Sequence, residues 1–94
     1  IDDMTNGILH ILKNYKMNEP INLGTGSEIS IKNLASLISE IIGFNGKIIF
    51  DKTKPDGIER KILDSSKVKK LGWSHSTSLE DGLIKTYQNY LSNF

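Results

Sequence analysis

Ninety-four residues with 37% apolar content can fill one modest core and no second, because surface still dominates volume at this size. Twelve basic against eleven acidic residues leave a net charge of +1, far from the field of a dedicated nucleic-acid binder, and the lack of cysteine excludes disulfides, thiolate metal sites and a cysteine nucleophile. No stretch approaches the roughly 18 apolar residues of a membrane span and no signal-peptide pattern opens the chain, so a cytoplasmic protein is the expectation. The sequence starts at Ile1-Asp2-Asp3 without an initiator Met, which reads as a chain cut from something longer; one domain, or part of one, is expected over residues 1–94.

In chain order, Asp2 and Asp3 can each cap a helix, and Met4, Ile8, Ile11, Leu12 and Tyr15 follow at helical spacing as one buried stripe. This predicts a helix from about residue 3 to about residue 16, ended by Asn18-Glu19-Pro20. Ile21-Asn22-Leu23 reads as a short strand stopped by Gly24-Thr25-Gly26. Ser30 caps a second helix whose Ile31, Leu34, Ala35, Ile38, Ile41 and Ile42 recur every three or four residues, with Gly43 placed as a left-handed terminator. Lys47-Ile48-Ile49-Phe50 reads as another strand, parallel to the first and joined by a right-handed crossover if the two share a sheet. Residues 51–61 lose periodicity and gather charge around Pro55 and Gly57, which marks a loop. Beyond it, Asp64 or Ser65 caps a short helix through Lys70 that stops at Gly72. Ser78 starts the last helix, with Asp81 in the third position of a capping-box-like arrangement and Leu79, Leu83, Tyr87, Tyr90, Leu91 and Phe94 as its buried face. The fold class is therefore α/β, with short parallel strands, three main helices and one short one.

Several patterns carry possible chemistry. Ile21-Asn22-Leu23-Gly24-Thr25-Gly26 imitates the opening of a dinucleotide fingerprint, but the third glycine position holds Ile29 and the helix starts only after Ser30, so a tight turn explains the glycines better. His10 and His75 have no clustered partner at metal-ligand spacing. Trp73, after Leu71-Gly72, is either a core anchor or a stacking platform, with packing the more economical reading. Lys52-Thr53-Lys54-Pro55-Asp56-Gly57-Ile58-Glu59-Arg60-Lys61 gathers four cations and a well-placed carboxylate; it is either a solvated turn or a grip in which the cations take a diphosphate and Asp56 takes ribose hydroxyls or ring N–H groups.

Taken in order, Ile1-Asp2-Asp3-Met4, then Ile21-Asn22-Leu23-Gly24-Thr25-Gly26 with Glu28-Ile29-Ser30-Ile31, resemble the C-terminal third of GDP-L-fucose synthases, members of the extended short-chain dehydrogenase/reductase family. Phe50-Asp51, Lys54-Pro55-Asp56-Gly57, Arg60-Lys61, Leu63-Asp64, Leu71-Gly72-Trp73 and Ser78-Leu79-Glu80-Asp81-Gly82-Leu83 continue the resemblance across essentially the whole chain. The Lys-Pro-Asp-Gly-x-x-Arg-Lys loop discriminates best among nucleotide-sugar enzymes. Ile58-Glu59 stands where the family pattern has Thr-Pro, and Asn33 replaces an acidic residue after the Ser30 cap.

The resemblance implies an NADP-dependent parent enzyme that epimerises GDP-4-keto-6-deoxymannose at two carbons and reduces its 4-keto group to give GDP-L-fucose. It implies that Asp56 sits near the nucleoside and Arg60 and Lys61 near the diphosphate, so that residues 1–94 form a C-terminal nucleotide-sugar-binding region. The family's Tyr-x-x-x-Lys pair is not here, since Tyr15, Tyr87 and Tyr90 are followed four residues later by Glu19, Leu91 and Phe94. No catalytic residue, bound NADP or metal is expected in this stretch. Its expected partners are the GDP-sugar and an N-terminal cofactor domain, with a homodimeric parent and self-association of the isolated chain. Another nucleotide-sugar epimerase or dehydratase using a UDP- or dTDP-sugar is the alternative within the class, and a self-standing binding module the alternative outside it.

Overall fold

A computed structural model describes residues 1–57 and 62–94. Among the described residues four helices follow in chain order: α1 (Asp2–Asn14), α2 (Ile31–Ile42), α3 (Ser66–Lys70) and α4 (Leu79–Asn93). All four were expected, and their ends fall within a residue or two of the expected positions.

Among the described residues no segment forms a strand, which corrects the expected parallel pair. A strand exists only when its N–H and C=O groups meet a neighbouring strand, whatever its side chains favour. Ile21–Leu23 and Lys47–Phe50 meet no such neighbour among the described residues, and Ile49 is 78% exposed.

The first unit comprises Ile1–Glu28 and Lys61–Thr77, the second Ile29–Arg60 and Ser78–Phe94. In the first, Val68 of α3 is fully buried and Ser65 beside it nearly so. Gly7 is the buried residue of α1. A Cβ there would lie 2.7 Å from a methyl of Leu23 and 3.2 Å from the Trp73 ring, so the absence of a side chain lets both pack against the helix. Trp73 is accordingly a packing residue. His10 donates from Nε2 to the Leu71 carbonyl at 2.6 Å, tying α1 to the end of α3.

The expected inward stripe of α1 is corrected by these contacts. Ile11 and Tyr15 are half-buried, whereas Met4, Ile8 and Leu12 are exposed, because the side of the helix that packs is the one carrying Asp3, Gly7 and His10. Neither aspartate caps α1; its N-cap position is Ile1, with no side-chain hydrogen bond.

In the second unit α2 packs on α4. Ser30 accepts from the Asn33 N–H at 3.1 Å. Gly43, at φ 72°, closes the other end with its N–H on Glu40 O and the Phe44 N–H on Ser39 O, the paired bonds of a Schellman motif. Ser78 caps α4 by accepting from Asp81 N–H at 3.1 Å, and Glu80 and Asp81 complement the positive end of the helix dipole. Leu34, Ala35, Leu37 and Ile41 of α2 and Leu83, Ile84 and Tyr87 of α4 are half-buried. The expected faces were too wide: Ile31, Ile38, Ile42, Leu79, Tyr90, Leu91 and Phe94 stay exposed, and the Tyr90 and Phe94 rings stack on each other at 5.3 Å.

Candidate substrate-binding segment

The basic loop begins with an Asx turn. One oxygen of Asp51 accepts from the Thr53 N–H at 2.9 Å and from the Thr53 hydroxyl at 2.5 Å. These bonds, the hydroxyl's first, hold the Asp51 carboxyl below the ordinary carboxylate range. Sequence reasoning missed this turn, although Asp followed two residues later by Thr is its usual signature.

Lys52, Lys54 and Asp56 are exposed, and a Cβ built on Gly57 meets nothing within 4 Å. Asp56 is thus open to a ligand. Arg60 and Lys61, the other two expected substrate contacts, lie outside the described residues, as does the Ile58-Glu59 departure.

Residues from Ile62 to Thr77 belong to the first unit. Leu63 lies over Gly24, where a Cβ would sit 3.4 Å from its methyl. Asp64 accepts from the Ser66 N–H at 3.0 Å and its carbonyl receives the Asn22 side-chain amide at 3.3 Å. Of the two possible caps for α3, Asp64 therefore supplies the side-chain bond, while Ser65 makes none. The backbone bond from Ser66 is the main cause of a lowered Asp64 carboxyl, with Lys70 and Lys67 adding to it.

Gly26 shows why the glycine-rich turn is structural. At φ 80° it occupies the left-handed region, and a Cβ there would meet Ser65 Oγ at 3.0 Å and Lys69 Nζ at 3.1 Å. Residues 27–30 separate it from α2, so its N–H groups do not open a helix as a pyrophosphate cradle would. Tyr15 is occupied locally, donating its hydroxyl to the Glu19 carbonyl at 3.0 Å.

A groove in the second unit is lined by Ile41, Ile84 and Tyr87 together with Glu40 and Glu80. Two carboxylates are the wrong charge for a diphosphate. Among the described residues no group of three His, Cys, Asp or Glu side chains gathers as a metal site, and no helix is long and apolar enough to cross a membrane.

No protein-family model matches the chain. Among solved structures, a GDP-6-OMe-4-keto-L-xylo-heptose reductase from C. jejuni superposes with a TM-score of 0.90 at 30% identity over 99% of this chain and 30% of that one. A GDP-mannoheptose C4 reductase from Campylobacter jejuni with NADP bound gives a TM-score of 0.82 at 31% identity over 96% of this chain and 29% of that one. The fold is therefore a portion of that of the GDP-sugar reductases, within the extended short-chain dehydrogenase/reductases. By sequence the match narrows: GDP-L-fucose synthase 1 of Arabidopsis thaliana is 46% identical over 93 residues, covering 99% of this chain and 29% of its own length. The chain matches the C-terminal portion of GDP-L-fucose synthases and spans under a third of their length.

Proposed function

We propose that this chain is the nucleotide-sugar-holding portion of an NADP-dependent GDP-sugar epimerase/reductase, a GDP-L-fucose synthase. The observation that carries the reading is the 46% identity to such an enzyme over 99% of the chain. Charge supports the same assignment, because the cations of the loop suit a diphosphate and the groove holding Glu40 and Glu80 does not.

In this reading Arg60 and Lys61 hold the diphosphate and the exposed Asp56 accepts from the nucleoside. Binding energy spent on the GDP handle orients the keto sugar against the nicotinamide and the catalytic pair, which reside in the part of the enzyme outside this chain. That part binds NADP, supplies acid–base catalysis for epimerisation at two carbons, and delivers hydride to the 4-keto carbon. The whole enzyme works in the cytoplasm as a homodimer.

A second reading keeps the GDP handle and changes the sugar to a heptose, and the TM-score of 0.90 to a GDP-heptose reductase favours it. A competition panel on the full-length enzyme separates the possibilities. GDP should compete with substrate while UDP and dTDP do not, and turnover of GDP-4-keto-6-deoxymannose in preference to a GDP-4-keto-heptose selects fucose synthesis. Equal competition by UDP or dTDP would overturn the GDP assignment.

A further inference from the structure

Glycine follows an asparagine or aspartate at four places: Asn6-Gly7, Asn45-Gly46, Asp56-Gly57 and Asp81-Gly82. Such a pair can react with itself, because the glycine nitrogen can attack the preceding side-chain carbonyl carbon and close a five-membered imide. Attack needs a glycine N–H free of hydrogen bonds, a backbone able to bend, and a good leaving group on the side chain. The fold sorts the four pairs on these requirements. Gly7 is buried in α1, where the helix ladder takes its N–H. Gly82 donates to the Ser78 carbonyl at 2.9 Å in the first turn of α4. Asp56-Gly57 is exposed, but a carboxylate resists nucleophiles and must first be protonated to lose water. Asn45-Gly46 meets all three requirements: both residues are exposed, they lie outside any helix, and no hydrogen bond among the described residues takes the Gly46 N–H. Packing also keeps the glycine in place, since a Cβ on Gly46 would fall within the Phe44 ring.

We infer that Asn45 is a self-modifying position, converting to aspartate and isoaspartate without an enzyme. The Gly46 nitrogen bonds to Cγ of Asn45, and the side-chain amide nitrogen leaves as ammonia, carrying off the proton that Gly46 gives up. Water then opens the imide. Cleavage between the Gly46 nitrogen and Cγ gives aspartate on the native backbone. Cleavage between that nitrogen and the α-carbonyl carbon gives isoaspartate, whose backbone runs through Cβ and Cγ. One water is consumed and one ammonia released for each residue converted. Either product puts a carboxylate two positions beyond Gly43, at the negative end of the α2 dipole, and isoaspartate also lengthens the chain between Phe44 and Gly46.

The test ages the full-length protein that carries this segment at neutral pH and maps its peptides by fragmentation mass spectrometry, which reports carboxamide turned to carboxyl at each asparagine. A fresh sample digested in parallel subtracts conversion during handling. Asn6 is the reference for a glycine neighbour held in a helix, and Asn18, exposed and followed by Glu19, the reference for exposure without glycine. Asn45 should convert about tenfold or more faster than either, since a protected amide reacts only through local opening and a bulkier neighbour raises the barrier to ring closure. Methylation by a protein-isoaspartate methyltransferase should show isoaspartate as the larger product at position 45. Gly46→Ala should slow conversion by about tenfold or more. Because its Cβ displaces the Phe44 ring, Asn45→Gln is measured beside it, leaving Gly46 in place and slowing conversion by enlarging the ring to be closed. Conversion at Asn45 no faster than at Asn18, or unslowed by either substitution, would overturn the assignment. Aspartate at position 45 with no isoaspartate would also overturn it, since direct hydrolysis leaves no imide to open both ways.

Discussion

The carboxylate of Asp3 accepts from Ser76 twice, from its N–H at 3.1 Å and its hydroxyl at 2.9 Å, across 73 positions of sequence. Its second oxygen takes the Thr77 N–H at 3.0 Å. A residue at the start of α1 thereby caps a turn at the far end of the same unit. The Thr77 bond is the largest cause, followed by those from Ser76, of an Asp3 carboxyl held below the ordinary carboxylate range.

Asp3, Asp51 and Asp64 all have lowered pKa values, and the linkage sign follows. A depressed folded-state value means that the unfolded chain takes up protons first as pH falls, so the stabilisation is complete above the unfolded value of about 3.9 and is lost as pH drops through the folded values. The thermal midpoint should be flat from neutral pH to about 5 and decline below 4. Asp3→Asn should lower the midpoint at pH 7 and make the acid decline shallower; a parallel acid decline in wild type and variant would remove Asp3 from the account.

Gly7→Val should destabilise the first unit by about 1–3 kcal/mol, the usual cost of forcing carbon into a filled space. The Cβ meets Leu23 at 2.7 Å and Trp73 at 3.2 Å, so both must move. Trp73 fluorescence followed through urea unfolding measures the change, and an unaltered midpoint would mean that α1 does not pack on Trp73.

Ser30→Ala and Ser78→Ala each remove a side-chain acceptor from a helix N-terminus and should each cost about 1 kcal/mol. Replacement by Asp should restore most of it. Helical circular dichroism against temperature distinguishes these outcomes, and equal stability of Ala and Asp variants would contradict the caps.

The second helix was legible in the sequence because its signals are local: Ser30 at one end, Gly43 at the other and apolar residues at helical spacing between. The orientation of α1 was not, because Gly7 contributes nothing to a hydrophobic pattern and Asp3 looks like a cap until its partner 73 positions away is in place. Ile21–Leu23 and Lys47–Phe50 carry strand composition without a strand, since pairing depends on a neighbour that composition cannot supply. In the basic loop Asp56, expected near the nucleoside, is open to solvent, whereas the Asp51–Thr53 turn that precedes it went unread.

The most direct test of the GDP grip is Lys61→Ala in the full-length enzyme carrying this segment. A charge-assisted contact to phosphate is worth about 1.5–3 kcal/mol, so KM for the GDP-keto sugar should rise about tenfold or more while KM for NADPH stays at its wild-type value. Wild-type kinetics for both substrates would take Lys61 out of the site and contradict the account.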